Sequence, residues 1–293
     1  MLWLNAALIV TVWGGAFSMI DVVVREISPL WVVAIRLILG TLMVWIYLLI
    51  RGKKPPNLSN ERWRYYAMLS FIGMVIPFLL VAKAQIKIHS GLAGVLVGAM
   101  PIFTIILAHF FTSEKLTWIK FLGFLIGFSG IILLFLPIET FKNLSEGLSL
   151  VSTWKEQLWV LLAAFFYAIT TVIAKHTPKT DAEVGALMML ICGSLTITAL
   201  AMLTGLPPMP SGLAWLNFIG LALGATAYGT IIYLWIINRA GPTFMARMNY
   251  FIPLTSVLLG ALFLTEKITL QILIAFALII GGIIISRIQP SPS

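Results

Sequence analysis

Charged residues are scarce in this chain of 293 residues, of which only 10% are Asp, Glu, Lys or Arg. A soluble protein of this length carries roughly a quarter charged residues. Here 60% of the residues are hydrophobic, and the mean hydropathy is +1.05. One soluble core could not bury so much apolar surface. The composition therefore predicts an integral membrane protein whose main solvent is lipid.

Cysteine is almost absent, because Cys192 is the only one, and no disulfide framework can form. The sequence also lacks metal-binding clusters, phosphate-binding loops and nucleophile motifs. We therefore expect no enzyme activity, no metal and no other cofactor. The net charge of +9 is typical of basic loops that face anionic headgroups. Nucleic-acid binding would need a basic patch on a folded soluble face, and the sequence has none, so we expect no nucleic-acid partner.

Long apolar runs, by contrast, recur along the whole chain. A helix needs about 20 apolar residues to cross a bilayer. Ten segments meet this condition: residues 2–24, 29–50, 63–85, 90–112, 117–136, 156–176, 182–204, 212–236, 242–264 and 268–287. The sequence therefore predicts an all-α membrane protein with ten transmembrane helices.

One stretch of the chain occurs twice. Residues 99–134 align with residues 251–286 without a gap, at an offset of 253 − 101 = 152. The informative matches are Pro101/Pro253, Glu114/Glu266, Lys115/Lys267, Thr117/Thr269 and Gly130/Gly282. The alignment predicts an internal duplication, with a first repeat at 1–136, a linker at 137–155, a second repeat at 156–287 and a tail at 288–293.

The two repeats are predicted to cross the membrane in opposite directions, because each contributes five spans and five is odd. Such inverted-topology repeats are typical of transporters that work by alternating access. The loop at 51–64 carries five basic residues, so the excess of Lys and Arg places it in the cytoplasm. Both termini are then expected to be cytoplasmic.

Three marks together identify a family resemblance: Trp13-Gly14-Gly15-x-Phe17 in the first span, Pro29-x(6)-Arg36 in the second, and the doubled block of proline, Glu-Lys and glycine. The chain resembles the drug/metabolite transporter superfamily, specifically EamA-type exporters with ten spans. The resemblance covers nearly the whole chain. It implies a central cavity lined chiefly by the first four spans of each repeat, with the fifth and tenth spans at the periphery.

The resemblance also implies a function. We expect a multi-pass transporter of the inner (plasma) membrane that exports amino acids or similar amphipathic metabolites. A passive channel and a proton-coupled multidrug efflux pump remain alternatives, because related members move amino acids, other metabolites or drugs. The expected partners are a small-molecule substrate and the lipid bilayer. The oligomeric state is open, and a monomer is compatible with the sequence.

Candidate cavity-lining residues are aromatic or polar side chains within the predicted spans: Trp13, Phe17, Arg36, Tyr167, Tyr228, Arg247, Asn249 and Tyr250. For any single aromatic residue the alternative is packing against lipid or core. Arg36 lies about 10 Å inside the second span at 1.5 Å per residue. A charge at that depth is costly and needs a partner, so Arg36 is expected to pair with Asp21 or with a substrate carboxylate.

Two further features have structural interpretations. Pro101 and Pro253 fall mid-span at equivalent positions, where proline kinks or breaks a helix. Their equivalence predicts a hinge or cavity-lining role, with a passive kink as the alternative. Gly123 and Gly127 form a small-residue face that lets helices approach closely.

The driving force can also be predicted, because carboxylates are missing from the membrane centre. All ten acidic residues fall in loops or close to helix ends. A proton-coupled antiporter usually exposes a carboxylate at the midplane, where burial raises its pKa towards neutral. We therefore predict a facilitator that runs down the substrate gradient. His109 or His89 is the remaining candidate for titration near neutral pH.

Overall fold

The computed structural model describes residues 1–57, 59–112, 116–135, 152–178, 180–253, 255 and 270–286. The two Glu-Lys pairs at 114–115 and 266–267, most of the predicted linker at 137–155 and the tail at 288–293 lie outside the described residues.

Across these described ranges the secondary structure is helical, and no strand occurs. The helices are α1 (Leu2–Val23), α2 (Pro29–Ile50), α3 (Arg62–Ser70), α4 (Ile76–Ala84), α5 (Ser90–Val97), α6 (Met100–Phe111), α7 (Trp118–Phe135), α8 (Trp154–Ala174), α9 (Ala182–Met202), α10 (Gly212–Gly220), α11 (Gly229–Asn249) and α12 (Leu270–Ile285). Two π-helical segments, π1 (Phe71–Val75) and π2 (Leu221–Tyr228), join α3 to α4 and α10 to α11.

Six helical stretches in the described part are long and apolar enough to cross a membrane, and three shorter apolar helices accompany them. Large apolar side chains such as Leu195, Leu200 and Leu203 on and after α9 are exposed, which is the surface that lipid covers. The predicted all-α, multi-span membrane fold is therefore confirmed. Ten spans of opposite orientation in the two halves stay a prediction.

The offset of 152 found in the sequence recurs in the irregular parts of the helices. Adding 152 to residues 71–75 gives 223–227, which fall inside π2. A π-helical turn leaves one residue out of the regular α-helical hydrogen-bond ladder, and such turns are frequent at functional sites. Both halves therefore carry the same irregularity at the same place.

A second matched irregularity lies at the two duplicated prolines. The fourth predicted span is interrupted, because α5 ends at Val97 and α6 begins at Met100 with Pro101 in its first turn. Proline is tolerated there, because the first N–H groups of a helix have no intrahelical acceptor. At the equivalent place α11 ends at Asn249, and helical geometry resumes at residues 251–253. A hinge role for the two prolines stays a prediction.

Gly241 separates the eighth predicted span from the ninth within α11. Its φ of +80° and ψ of 171° are non-helical, and glycine adopts this conformation without steric cost. The break falls where the sequence places the Gly241-Pro242 connection.

The helices α7 and α12 pack on each other through glycines. A side chain at Gly123 would meet the backbone of Gly282 and Ser286 at 2.6 Å. The close-packing face predicted at Gly123 therefore contacts the last described helix. Tyr250 and Phe124 are buried beside this pair.

Candidate functional site

A cavity of about 120 Å³ lies inside the helix bundle. Residues of α1, α2, α4, α5, α6, α8, α9 and α11 and of both π-helical segments line it. For comparison, an engineered apolar cavity of about 150 Å³ binds benzene. In this conformation the cavity therefore accommodates a solute about the size of a single ring.

The sequence offset of 152 relates one wall of the cavity to the other. Five pairs of lining residues obey it: Gly73/Ala225, Phe78/Thr230, Val81/Tyr233, Val97/Asn249 and Met100/Ile252. The first-half members are all apolar, whereas three of the second-half members carry a hydroxyl or an amide. Equivalent positions of the two halves therefore line the cavity, but at these positions only the second half contributes polar side chains.

Arg36 on α2 brings a cation to this cavity. It is only 5% exposed, and its Nε donates a hydrogen bond to Thr226 Oγ1 over 2.6 Å. Its guanidinium carbon lies 3.9 Å from the centroid of the Phe78 ring, which is a cation–π contact. One helix of the first half and the π-helical segment of the second half thus fix the orientation of this side chain.

The alternative in which Arg36 pairs with Asp21 is wrong. Asp21 Oδ2 instead accepts from Arg25 Nη2 at 2.6 Å. Residues four apart on a helix lie on the same face, so Arg25 reaches Asp21 locally. Among the described residues no carboxylate forms an ion pair with Arg36.

The Arg36 guanidinium, which has no carboxylate partner among the described residues, still has N–H groups that can bind a ligand. Arginine carries five N–H donors in a planar fork, and Thr226 accepts one of them. A charge held in a low-dielectric interior is costly unless a counter-charge or water reaches it. The cavity is therefore complementary to an anionic group, carboxylate in particular.

Asn249 adds a polar group on the opposite wall. It is 3% exposed, and its Nδ2 donates to Met100 Sδ at 3.2 Å. Its Oδ1 is buried without a hydrogen-bond partner in the described part of the protein. A buried acceptor without a donor is costly, so a rearrangement that brought an N–H or O–H group of a solute to this oxygen would be favourable.

The aromatic wall is held by backbone irregularity. Trp13 Nε1 donates to the carbonyl oxygen of Ala225 at 3.2 Å, within π2, where the regular ladder is interrupted. A side chain at Gly229 would meet Trp13 Nε1 at 2.6 Å, so glycine is needed for this approach. Tyr233 completes the wall through a 3.1 Å hydrogen bond to Thr171 Oγ1.

The structure brings together six of the residues predicted from the sequence. They line the cavity and are Trp13, Phe17, Arg36, Tyr167, Asn249 and Pro253. Sequence reasoning missed the partners of Arg36, which are Phe78 and Thr226. The offset pairs Phe78 with Thr230 and Thr226 with Met74. It could not indicate either partner of Arg36, because only the structure shows that Thr230 and Met74 line the cavity.

The other predicted site residues lie elsewhere. The Tyr228 hydroxyl faces α1 and reaches Asn5 Oδ1 at 3.4 Å. The Tyr250 hydroxyl donates to the carbonyl oxygen of Phe124 at 2.8 Å, so Tyr250 belongs to the packing of α7. Half-buried Arg247 and buried Pro101 are outside the cavity lining. Successive helical residues point about 100° apart, so neighbours of a lining residue face other helices.

Comparison with known proteins identifies the class of molecule to which this cavity belongs. The sequence profile of the EamA-like transporter family matches residues 1–136 and 154–288. The chain belongs to the EamA-like transporter family. It is therefore a membrane transporter of the drug/metabolite type, as the resemblance predicted.

Relatives with high coverage agree with this family. Transporter YoaV of Bacillus subtilis is 27% identical over 288 residues, which cover 93% of this chain and 91% of that protein. A transporter of Archaeoglobus fulgidus is 27% identical, with 97% of each chain covered. Inner membrane transporter YedA of Escherichia coli is 28% identical, covering 85% of this chain and 78% of that protein.

The fold is also shared with a solved crystal structure. That chain is 18% identical, with a TM-score of 0.77 over 97% of this chain and 96% of the other. At 18% identity this likeness establishes a shared fold and nothing about function.

Proposed function

We propose that this EamA-family transporter exports amino acids or similarly small carboxylate-bearing metabolites across the inner (plasma) membrane by alternating access. The observation that carries the proposal is Arg36, a buried cation that lines the cavity and has no carboxylate partner among the described residues. Its guanidinium fork matches the two oxygens of a carboxylate.

A second polar group supports a zwitterionic solute. Asn249 Oδ1 is a buried acceptor that finds no donor among the described residues, and an ammonium group supplies N–H donors. The rest of the wall is largely aromatic and aliphatic, which suits the apolar body of a small amphipathic metabolite. The volume of about 120 Å³ favours such a solute over a large drug.

Alternating access is supported by the matched irregularities of the two halves. The segments π1 and π2 are equivalent by the offset of 152, and so are the helix breaks before Pro101 and Pro253. Paired irregular helices around a central site are typical of transporters in which one half moves against the other.

Facilitated transport without proton coupling is the mode that the cavity favours. None of the carboxylates in the described residues lines the cavity. Glu156 is buried, but its Oε1 accepts from Lys87 Nζ at 2.7 Å, so this carboxylate is already paired. A titrating carboxylate at the binding site is the usual means of coupling to protons.

The test is transport of labelled amino acids by purified protein in liposomes. Removing one partner of a buried charge pair costs about 2–5 kcal/mol, so Arg36→Ala should weaken substrate binding at least about 30-fold. Arg36→Lys keeps the charge without the fork and should be intermediate. Arg51→Ala, in the exposed loop after α2, is the matched control and should transport normally.

The opposite results are equally clear. Unchanged affinity for carboxylate solutes in Arg36→Ala would remove Arg36 from the binding site. Uphill accumulation driven by a pH gradient alone would contradict facilitated transport.

A further inference from the structure

A second, smaller cavity of about 60 Å³ adjoins the central one. It lies at the end of the bundle where α1 ends and α5 begins. Ser18 and Ser90 contribute to its lining, and Ser90 is the first residue of α5. This cavity therefore forms a partly polar vestibule between the central site and one face of the protein.

The two cavities share four lining residues: Phe17, Gly94, Ile252 and Pro253. Residues that line both cavities form the neck between them. None of the four has a polar side chain. An apolar constriction of this kind is blocked by dewetting until a side chain moves, so a hydrated solute does not pass while the neck is closed.

Phe17 is the largest of these residues, and rotation about its side-chain torsions would move a whole ring. A side chain at Gly94 would lie 3.8 Å from Phe17 Cδ2, which means that the ring reaches across to α5. The backbone at Phe17 is anchored, since its carbonyl oxygen accepts from Gln85 Nε2 at 2.9 Å. Rotation of the Phe17 side chain would therefore open the neck without a shift of this main-chain contact.

The wall opposite the ring is built from interrupted helices. Gly94 lies on the eight-residue helix α5, which ends at Val97. Pro253 follows the equivalent break after Asn249. Two of the neck residues therefore lie next to interruptions of the helical hydrogen-bond ladder, where helices bend most readily.

We infer that Phe17 is the gate between the central site and the vestibule, and that solute leaves through this neck toward the loops 24–28 and 85–89. The inference rests on the proposed function, because a gate has a role only if solute crosses the protein. The test is independent of that function, because it measures the accessibility of the central cavity without any substrate. The basic loops of the other end predict that this exit is on the outer face.

The experiment uses a cysteine placed in the central cavity. Cys192 is first replaced by alanine, and the lining residue Thr230 is then replaced by cysteine, which is close in volume. A membrane-impermeant thiol reagent is applied from each side of reconstituted vesicles. A separate Ser28→Cys variant, in the exposed loop before α2, marks the side on which the vestibule opens.

Reaction of the cavity cysteine from the side marked by Ser28→Cys should be slow with Phe17 in place. Phe17→Ala should accelerate it on the order of tenfold, equivalent to lowering a barrier by about 1.4 kcal/mol. Gly94→Leu should slow it further by filling the neck. Phe165→Ala, an aromatic exposed on α8 and outside both linings, is the matched control and should change nothing.

Three results overturn the gate. The first is an equal labelling rate of the cavity cysteine in the protein with Phe17, in Phe17→Ala and in Gly94→Leu. The second is fast labelling of the cavity cysteine from the side marked by Ser28→Cys while Phe17 is in place. The third is reaction from the opposite side only. If Phe17→Ala does not fold, the effect of Gly94→Leu alone decides the question. Failure of the Arg36 substitutions to affect carboxylate transport would instead overturn the proposed function and leave the gate intact.

Discussion

Two neighbouring glycines on α12 offer a sharp test of how the peripheral helices pack. A side chain at Gly282 would meet the backbone of Gly123 and Gly127, the latter nitrogen at 2.5 Å. A side chain at Gly281 would meet no atom of the described residues within 4 Å. The two residues are both glycines of the same helix, and they differ only in the helix face on which they lie.

The expected effects of alanine at the two positions have opposite signs. Alanine is favoured over glycine in a helix by about 1 kcal/mol, so Gly281→Ala should be neutral or stabilising. Gly282→Ala has the same propensity gain but forces α7 and α12 apart, from 2.5 Å to at least the 3.4 Å of ordinary contact. Overpacking against a rigid neighbour costs up to about 3 kcal/mol, which leaves a net loss of roughly 2 kcal/mol.

The measurement is thermal unfolding of the purified variants in the same detergent. A difference of about 3 kcal/mol between the two variants corresponds to roughly 6–12 °C in Tm, at about 2–4 °C per kcal/mol for a protein of this size class. Gly282→Leu should be worse than Gly282→Ala. Equal Tm values for Gly281→Ala and Gly282→Ala would refute the close approach of α7 and α12.

The remaining predictions concern one residue at the site and one in a loop. Thr226→Val removes the acceptor of Arg36 Nε, and a hydrogen bond to a charged group is worth about 1.5–3 kcal/mol. Liposome transport should therefore fall about tenfold or more, whereas Thr226→Ser keeps the hydroxyl and should retain transport. Equal transport rates for the two variants would contradict the contact. The carboxylate of Glu26 accepts from the Ser211 backbone N–H and hydroxyl, which holds its pKa below the usual 4.5. Its stabilising contribution is therefore present above pH 4.5 and lost as the pH falls through the lowered pKa. Wild type should be more stable than Glu26→Gln at neutral pH, and the difference should close in acid; a difference that persists in acid would show that the carboxylate charge is not its source.

The membrane class of the protein was predictable from sequence because it depends on composition and run length. Apolar segments of about 20 residues have no stable state in water and must form helices in lipid, where every backbone group needs an internal partner. The internal offset of 152 was equally visible, since a shared proline and glycine are informative where matched leucines are not. That offset also relates five pairs of cavity-lining residues, so much of the candidate site was already present in the duplication.

The contacts of individual side chains were decided only by the tertiary structure. Arg36 was recognisable as a buried charge, but its acceptor Thr226 is 190 residues away in sequence. Nothing in the chain between them indicates that α2 and π2 meet. Asp21, which the sequence offered as the partner, is occupied by its neighbour Arg25.

Helix faces and helix breaks explain the remaining differences. Asn249 lines the cavity whereas Tyr250 turns to α7, because one residue of helix rotates the side chain by about 100°. A membrane helix is apolar on every face, so its sequence has no periodicity to show which face meets the cavity. The helix break before Pro101 follows from the sequence, because proline has no N–H to donate to the carbonyl of Val97. Only the tertiary structure shows that Pro253 lines the cavity and that Pro101 does not.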